Sequence, residues 1–155
     1  MVEYARFGPP LASFVPGGAH VSVHIVPVFD GAIVAFDVAA RAAQGRWLPW
    51  DLLPYGGNPY ETAAELGDTW CDGAVTDLVL ADTLSFVAPG ESWELSLIFR
   101  AELSIAPAGD VDRHPILLAP GDLDSVARFE AVDLERWLGP GEPSAPTRKD
   151  DGLLF

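Results

Sequence analysis

The chain of 155 residues has little sulfur chemistry and no long apolar run: Cys71 is its one cysteine. A single cysteine cannot form an intrachain disulfide, which fits a reducing cytoplasm, and we interpret Cys71 as a small core residue. Without a stretch of about 18 apolar residues, no membrane-spanning helix is expected. The start MVEYARFGPP lacks the basic residues and apolar segment of a signal peptide, so we expect a cytoplasmic protein.

Basic residues are also scarce, because 9 Lys and Arg stand against 23 Asp and Glu, a formal net charge of −14. Such acidity argues against nucleic acid and anionic membranes as partners. It also repels free nucleotides unless a cation mediates. Between Trp47 and Phe99 the sequence has no Lys or Arg at all.

Motifs of several common site types are absent. The sequence contains no GxxxxGK[ST], GxGxxG or GxSxG, so phosphate-loop, dinucleotide and nucleophile-elbow sites lack support. His20 and His24 lie four residues apart in a predicted strand and therefore share a face. They could ligate a metal, but histidines with ordinary hydrogen bonds are the commoner case in half-buried strands.

The order of the predicted elements indicates a single α+β domain at 1–138, preceded within that range by an arm at 1–18 and followed by a tail at 139–155. Strands outnumber helices and do not alternate with them, which favours a mixed sheet. Asp30-Gly31 predicts a hairpin turn. The predicted strands are 20–29, 33–38, 75–80, 84–87, a long and central one at 92–105, and 115–118. The late helices are predicted at 122–129 and, after a short strand that begins at 131, up to 138.

Asn58-Pro59-Tyr60-Glu61 predicts the start of a helix that runs to residue 70 or 71. Asn58 is a suitable N-cap, Pro59 suits the first helical position, and Glu61 can return a hydrogen bond to the cap. We expect the core-facing side to consist of Tyr60, Ala63, Ala64, Gly67, Trp70 and Cys71. At about 100° per residue the acids Glu61, Glu65, Asp68 and Asp72 form one stripe.

This acidic stripe has two interpretations. Carboxylates at i,i+4 repel each other, and a bound divalent cation would turn that repulsion into ligand density. The alternative is a solvated helix face in an acidic protein, and Glu61 has a capping role that reduces its weight as a ligand. The aromatic residues around Gly56-Gly57 are similarly ambiguous, since they can stack on a flat ligand or belong to the core. They are Trp47, Trp50, Tyr55 and Tyr60.

Three segments resemble the Nudix hydrolase family. Trp50-Asp51-Leu52 with Pro54 and Gly56-Gly57 is similar to the family's W-x-L-P-G-G entry to its catalytic loop, spread out by extra residues. Glu61-Thr62-Ala63-Ala64 is similar to its loop-to-helix segment. Residues 128–134 with Trp137 resemble the segment that leads into its C-terminal helix. The resemblance covers about residues 20–138 and implies an α/β/α sandwich around a mixed β-sheet.

The resemblance also implies a divalent-metal-dependent hydrolase that uses Mg²⁺ or Mn²⁺ to cleave a nucleoside-diphosphate-type substrate. The family box G-x5-E-x7-R-E-U-x-E-E-x-G-U is degenerate here, because its Arg-Glu pair falls on Thr69-Trp70 or on Leu66-Gly67. We therefore expect shifted positions: Glu61, Glu65, Asp68 and Asp72 as metal ligands, with Glu65 and Asp68 catalytic. The expected substrate contacts are Trp50, Tyr55, Gly56, Gly57 and Arg46.

The alternative is a catalytically inactive Nudix-like domain that binds a ligand or a protein. The degenerate box favours this second hypothesis, and a titration with Mn²⁺ separates the two. The aromatic content is also compatible with a homodimer, because so many rings are hard to bury in one small domain.

Overall fold

The structure, a computed structural model, describes residues 19–39, 45–88 and 92–139, with the backbone alone at 86–88 and 92. The predicted arm at 1–18 and the predicted tail beyond Gly139 lie outside the described residues. The strands are β1 (Ala19–Phe29), β2 (Ala32–Val38), β3 (Gly45–Trp47), β4 (Trp50–Leu52), β5 (Val75–Ala88), β6 (Ser92–Leu103) and β7 (Arg113–Leu118). The α-helices are α1 (Pro59–Trp70) and α2 (Ala131–Leu138), and a 3₁₀ turn spans Pro120–Asp122.

The described strands form one mixed sheet in the order β3-β2-β1-β6-β5, with β4 paired to β1 and β7 paired to β2. Strand β6 runs parallel to β1 and antiparallel to β5, which confirms the prediction of a long central strand. The hairpin prediction is also confirmed, because Asp30 and Gly31 both have positive φ and join β1 to β2. Two positive φ values are what the twist of a two-residue hairpin requires.

The helices cover opposite faces of the sheet, and each face has its own core. Helix α1 packs on Val23, Ile25 and Phe99 through Ala63 and Leu66. Helix α2 packs on the other face through buried residues, which include Leu134, Trp137 and Leu138. The predicted α/β/α sandwich around a mixed sheet is therefore confirmed. Neither described α-helix has the length and apolar character that a membrane crossing requires.

Helix α1 begins and ends where the sequence predicts. The Asn58 side chain accepts a hydrogen bond from the Tyr60 N–H at 2.8 Å, and Pro59 occupies the first turn. Cys71 is the C-cap, and the chain then leaves the helix through positive φ at Asp72 and Gly73. The N-terminal cap therefore forms through Asn58 as predicted.

The buried face of α1 differs in part from the prediction, because Tyr60 and Ala64 are exposed. The buried residues of the helix are Thr62, Ala63, Leu66 and Gly67. Gly67 sets this orientation, since a Cβ there would come within 2.6 Å of Val75 Cγ2. The close approach places α1 directly against β5 and rolls Thr62 and Leu66 toward the sheet.

Replacement of Asn58 by alanine is expected to lower the free energy of unfolding by about 1 kcal/mol, because the Tyr60 N–H loses its acceptor. Urea titration measures the change. Replacement of Asn58 by serine, which can also cap, is the matched control and should cost less. Equal losses in both variants would contradict a capping role for Asn58.

Three sequence predictions about strands and helices are wrong. Residues 75–88 form one strand, whose register shifts near Thr76 and Ala81 break the alternation that suggested two. Residues 122–129 are not helical: Val126 and Phe129 form a bridge across a turn in which Arg128 has φ 80°. Residues 131–138 are helical throughout, because Glu130 and Asp133 form a capping box at the start of α2.

Candidate functional site

A cleft of about 550 Å³ opens beside α1, between the helix and strands β3 and β4. We call it the tryptophan cleft, and it is lined by Val38, Trp47, Trp50, Asp51, Thr62, Glu65, Leu66, Thr69, Trp70, Asp112 and Arg113. The cleft joins four separate segments of the chain. Its volume lies in the range of about 300–1,000 Å³ that is typical of small-molecule sites.

Three indole rings form the walls of the tryptophan cleft. The Trp47 and Trp50 centroids lie 5.8 Å apart, and both residues are largely buried in a small cluster with Val38 and Leu52. Trp70 meets Phe36 edge to face at 5.3 Å. These rings are therefore held in the walls of the cleft by packing against buried neighbours.

Arg113 brings the basic group of the tryptophan cleft. Its guanidinium carbon lies 4.2 Å from the centroid of the Trp70 ring, a distance at which the ring face attracts the cation. Its position is also held by the Asp110 carboxylate, which accepts the N–H groups of Asp112 and Arg113. These two backbone hydrogen bonds lower the pKa of Asp110, and the one from Asp112 has the larger effect. The loop before β7 is therefore shaped to present Arg113 to the cleft.

The four predicted metal ligands do not converge. Glu61, Glu65 and Asp68 are exposed on α1, and of these Glu65 lines the tryptophan cleft. Asp72 lies beyond the helix, where its Oδ2 accepts the Ala108 N–H at 3.0 Å. Among residues 19–39, 45–88 and 92–139, no three His, Cys, Asp or Glu side chains are grouped closely enough to hold a metal ion. The chain alone does not supply a complete cation cage there.

The five predicted substrate contacts also lie in different places. Trp50 lines the tryptophan cleft, whereas Tyr55 and Gly56 line a second cavity. Gly57 closes a turn by donating its N–H to the Pro54 carbonyl at 2.8 Å. Arg46 pairs with Asp37 at 3.1 Å and lines a third, more open hollow. The structure thus associates Trp50 with Glu65 and separates both from Arg46.

Sequence reasoning missed Asp112 and Arg113 and did not assign Asp51 or Thr69 to the site. Arg113 follows Trp70 by more than 40 residues, in a stretch that reads only as a loop. Strand β7 carries it to the cleft by pairing with β2, where Arg113 lies opposite Val38. No local motif marks such a pairing, so the sequence had no signal for Arg113.

A buried polar cluster lies on the opposite face of the sheet, under the turn before α2. Glu94 accepts hydrogen bonds from Ser22 at 2.7 Å, Ser96 at 2.9 Å and Arg128 at 2.7 Å. Burial acts to raise the pKa of Glu94, but the hydrogen bond and charge of Arg128 and the two serine hydroxyls outweigh it, so the pKa is lowered. His20 joins the cluster with Nε2 3.2 Å from Glu94. The cluster ties β1 and β6 to the turn that precedes α2.

His24 lies beside this cluster and is also buried. Its ring meets Phe129 edge to face at 4.9 Å. Desolvation, followed by the positive charge of Arg128, lowers the pKa of His24 to about 3. His24 is therefore neutral at physiological pH and acts as a packing residue. The ordinary hydrogen bonds expected of the strand histidines do not form at His24, because neither of its buried ring nitrogens has a hydrogen-bond partner among the described residues.

No protein-family model matches this chain, and no curated protein matches it. Several solved structures do match it. The MutT protein from Methanosarcina mazei superposes with a TM-score of 0.61 at 12% identity, over 79% of this chain and 91% of that one. The MutT Nudix hydrolase from Burkholderia pseudomallei gives 0.59 at 16% identity, over 76% and 97%. The Nudix domain of Shewanella oneidensis NrtR, solved with ADP ribose, gives 0.58 at 14% identity, over 86% and 94%.

These similarities establish the fold. The chain is a Nudix-like domain, with the helix–sheet–helix arrangement of those structures. Identities of 11–17% in the matches with TM-scores above 0.5 do not carry an activity from one chain to another. The chemistry of this chain has to be argued from its own residues.

Proposed function

We propose that the tryptophan cleft binds a nucleoside-diphosphate-type ligand together with a divalent cation. The observation that carries the proposal is that one cleft combines three indole walls, the guanidinium of Arg113 and the carboxylate of Glu65. Indole faces and edges suit a flat base, and a guanidinium suits a phosphate oxygen. The ligand class is supported by the ADP ribose found in the NrtR Nudix domain.

The charge of the cleft explains why a cation has to accompany the ligand. Asp51, Glu65 and Asp112 line the cleft against the one guanidinium of Arg113, so a free diphosphate would be repelled. Mg²⁺ in phosphate sites is held by one or two protein carboxylates, and the phosphates and water complete its shell. The donor set therefore fits a cation shared with the ligand. Glu65 and Asp51 would hold the cation. That Glu61, Asp68 and Asp72 are also metal ligands stays a prediction.

Replacement of Glu65 by glutamine is expected to weaken the binding of ADP in the presence of Mn²⁺ by tenfold or more, which is about 1.4 kcal/mol. Isothermal titration with and without Mn²⁺ measures it. Asp68→Asn is the matched control, because Asp68 lies on the same helix and does not line the cleft. Equal losses in the two variants would favour the full acidic stripe, and unchanged affinity in Glu65→Gln would remove Glu65 from the site.

Hydrolysis is the second candidate function, favoured by Glu65 being the α1 acid that lines the cleft. A bound Mg²⁺ or Mn²⁺ would polarise the diphosphate. The carboxylate of Glu65 would then accept a proton from an attacking water. Product release from a panel of nucleoside diphosphate derivatives with Mn²⁺ tests this. Binding without turnover would identify a catalytically inactive ligand-binding domain.

A further inference from the structure

The second cavity, of about 620 Å³, lies where β1 and β6 begin. We call it the apolar cavity, and it is lined by Ala19, His20, Val21, Asp51, Leu52, Leu53, Pro54, Tyr55, Gly56, Trp93 and Leu95. Helix α1 packs on Val23, Ile25 and Phe99, which come later in the same two strands. Leu53 belongs to the lining and also packs against this core. The apolar cavity therefore borders the α1-side core at the end of the sheet where the two strands start.

The rim of the apolar cavity carries two exposed aromatic side chains. Tyr55 is 88% exposed and Trp93 is 45% exposed. The Trp93 indole N–H donates to the Ser85 hydroxyl, which orients its ring. Exposed aromatic surface next to an apolar hollow is characteristic of a surface on which another group docks.

The chain itself enters the apolar cavity at Ala19, which is the first residue of β1 and part of the lining. Phe14 precedes Ala19 by five residues, a stretch that spans at most about 18 Å when fully extended. Between them lies Pro16-Gly17-Gly18, residue types that favour a reversal of the chain. Phe14, and Leu11 before it, are therefore within reach of the apolar cavity.

The composition of residues 1–18 matches that of the lining. Glu3 and Arg6 are the charged side chains of this segment, and both are remote in sequence from Phe14. Placing Leu11 and Phe14 in an apolar space therefore buries no charge.

The residues after Gly139 suit the apolar cavity less well. They follow α2, which packs on the opposite face of the sheet. They also bring five charged side chains, which are Glu142, Arg148, Lys149, Asp150 and Asp151. Charge and starting point both favour the N-terminal segment over the C-terminal one.

We propose that residues 1–18 fold back from Ala19 and that Leu11 and Phe14 occupy the apolar cavity, which makes it an intramolecular docking surface. Because the segment is joined to the lining, it loses loop-closure entropy and not the translational and rotational freedom of a free partner. Its effective concentration at the cavity is correspondingly high, which favours it over a free ligand or a second copy of the chain. The inference is independent of the ligand proposed for the tryptophan cleft.

A double-mutant cycle on the full chain tests the contact, read by urea titration. Phe14→Ser is expected to raise the equilibrium constant for unfolding at least tenfold. In a Trp93→Ala background the same replacement should raise it severalfold less, because the effects of residues in contact are not additive. Trp93 is exposed enough that its replacement should leave folding intact. Phe155→Ser is the matched control and should change neither background. No effect of Phe14→Ser, or an equal effect in both backgrounds, would overturn the proposal.

Nuclear magnetic resonance tests the same contact without a substitution. In the isotope-labelled full chain, nuclear Overhauser contacts are expected between the ring protons of Phe14 and the methyl groups of Leu95. A mixture of labelled and unlabelled chains separates contacts within one chain from contacts between copies. Contacts found only between copies would assign the apolar cavity to a second copy. Contacts of Phe155 in place of Phe14 would assign it to the C-terminal residues, and either result would overturn the proposal.

The dye anilinonaphthalene sulfonate tests whether the apolar cavity is open to a free ligand. Its fluorescence should be weak with the unchanged chain and should rise severalfold with Leu11→Ser/Phe14→Ser, which leaves the cavity without its occupant. Strong fluorescence with the unchanged chain that Trp93→Ala abolishes would show that the cavity takes free apolar ligands. That result, or an unchanged signal in the double variant, would contradict docking of the N-terminal segment.

Discussion

Replacement of Glu94 by alanine is expected to lower the free energy of unfolding by about 3–5 kcal/mol, the usual cost of removing one partner of a buried ion pair. Glu94 is 1% exposed and contacts Arg128 at 2.7 Å, whose side chain is 16% exposed. Without the carboxylate, the largely buried Arg128 charge loses its ion pair with Glu94. Urea titration at neutral pH measures the loss.

The matched control for Glu94→Ala is Glu102→Ala on the same strand. Glu102 pairs with Arg100 at 2.6 Å, but the two side chains keep 41% and 27% of their exposure. Solvent screens such a pair, so its loss should cost at most about 1 kcal/mol. If Glu94→Ala cost no more than Glu102→Ala, the buried pair would not be the anchor of the turn before α2.

A double replacement, Glu94→Leu with Arg128→Met, sharpens the same prediction. Removing both charges leaves neither ion buried alone, and buried pairs replaced by apolar residues are often neutral in stability. Ser22 and Ser96 can still bond each other, since their hydroxyl oxygens lie 2.6 Å apart. The double variant should therefore be more stable than Glu94→Ala. A loss in the double variant equal to the sum of the losses in Glu94→Leu alone and Arg128→Met alone would contradict the coupling of Glu94 to Arg128.

The parts of the fold that the sequence predicts correctly are set by neighbouring residues. Asp30-Gly31 defines its turn through its own φ angles, and Asn58 defines the start of α1 through a bond to Tyr60 two residues later. The alternation of apolar and polar residues in β6 likewise identifies a long strand, because this pattern depends on residues that are close together in the sequence. The second face of β6 is only half polar, and the structure explains why it still carries polar residues: Glu94 and Ser96 are buried there in the polar cluster.

The parts that the sequence could not predict depend on pairings across the sheet. Arg113 reaches the tryptophan cleft because β7 pairs with β2. Arg128 takes a positive φ, which ends any helix, and its guanidinium meets Glu94, 34 residues away. Of the acidic stripe predicted on one face of α1, Glu61, Glu65 and Asp68 are exposed on the helix and Asp72 lies beyond its end. Among these four acids, the tryptophan cleft is lined by Glu65 alone.

Stability is expected to fall between about pH 6.5 and pH 5 because of His24. The pKa of His24 is lowered from 6.5 to about 3 in the folded chain, so in this range the unfolded chain binds a proton that the folded chain does not. The stabilisation is complete above pH 6.5 and is lost as the pH falls, by about 2 kcal/mol at pH 5. The lowered pKa of Glu94 adds a loss of the same sign only below its ordinary value of 4.5. Urea titrations at about pH 7, 6 and 5 measure the slope.

Replacement of His24 by phenylalanine should remove most of that slope, since the ring keeps its edge-to-face contact with Phe129 and no longer titrates. His114→Asn is the matched control, because His114 is exposed on β7 and should leave the slope in place. The comparison concerns the change with pH within each variant, so a uniform loss from imperfect packing of the larger ring does not affect it. A slope that persists in His24→Phe and disappears in His114→Asn would place the proton uptake outside the buried face of β1.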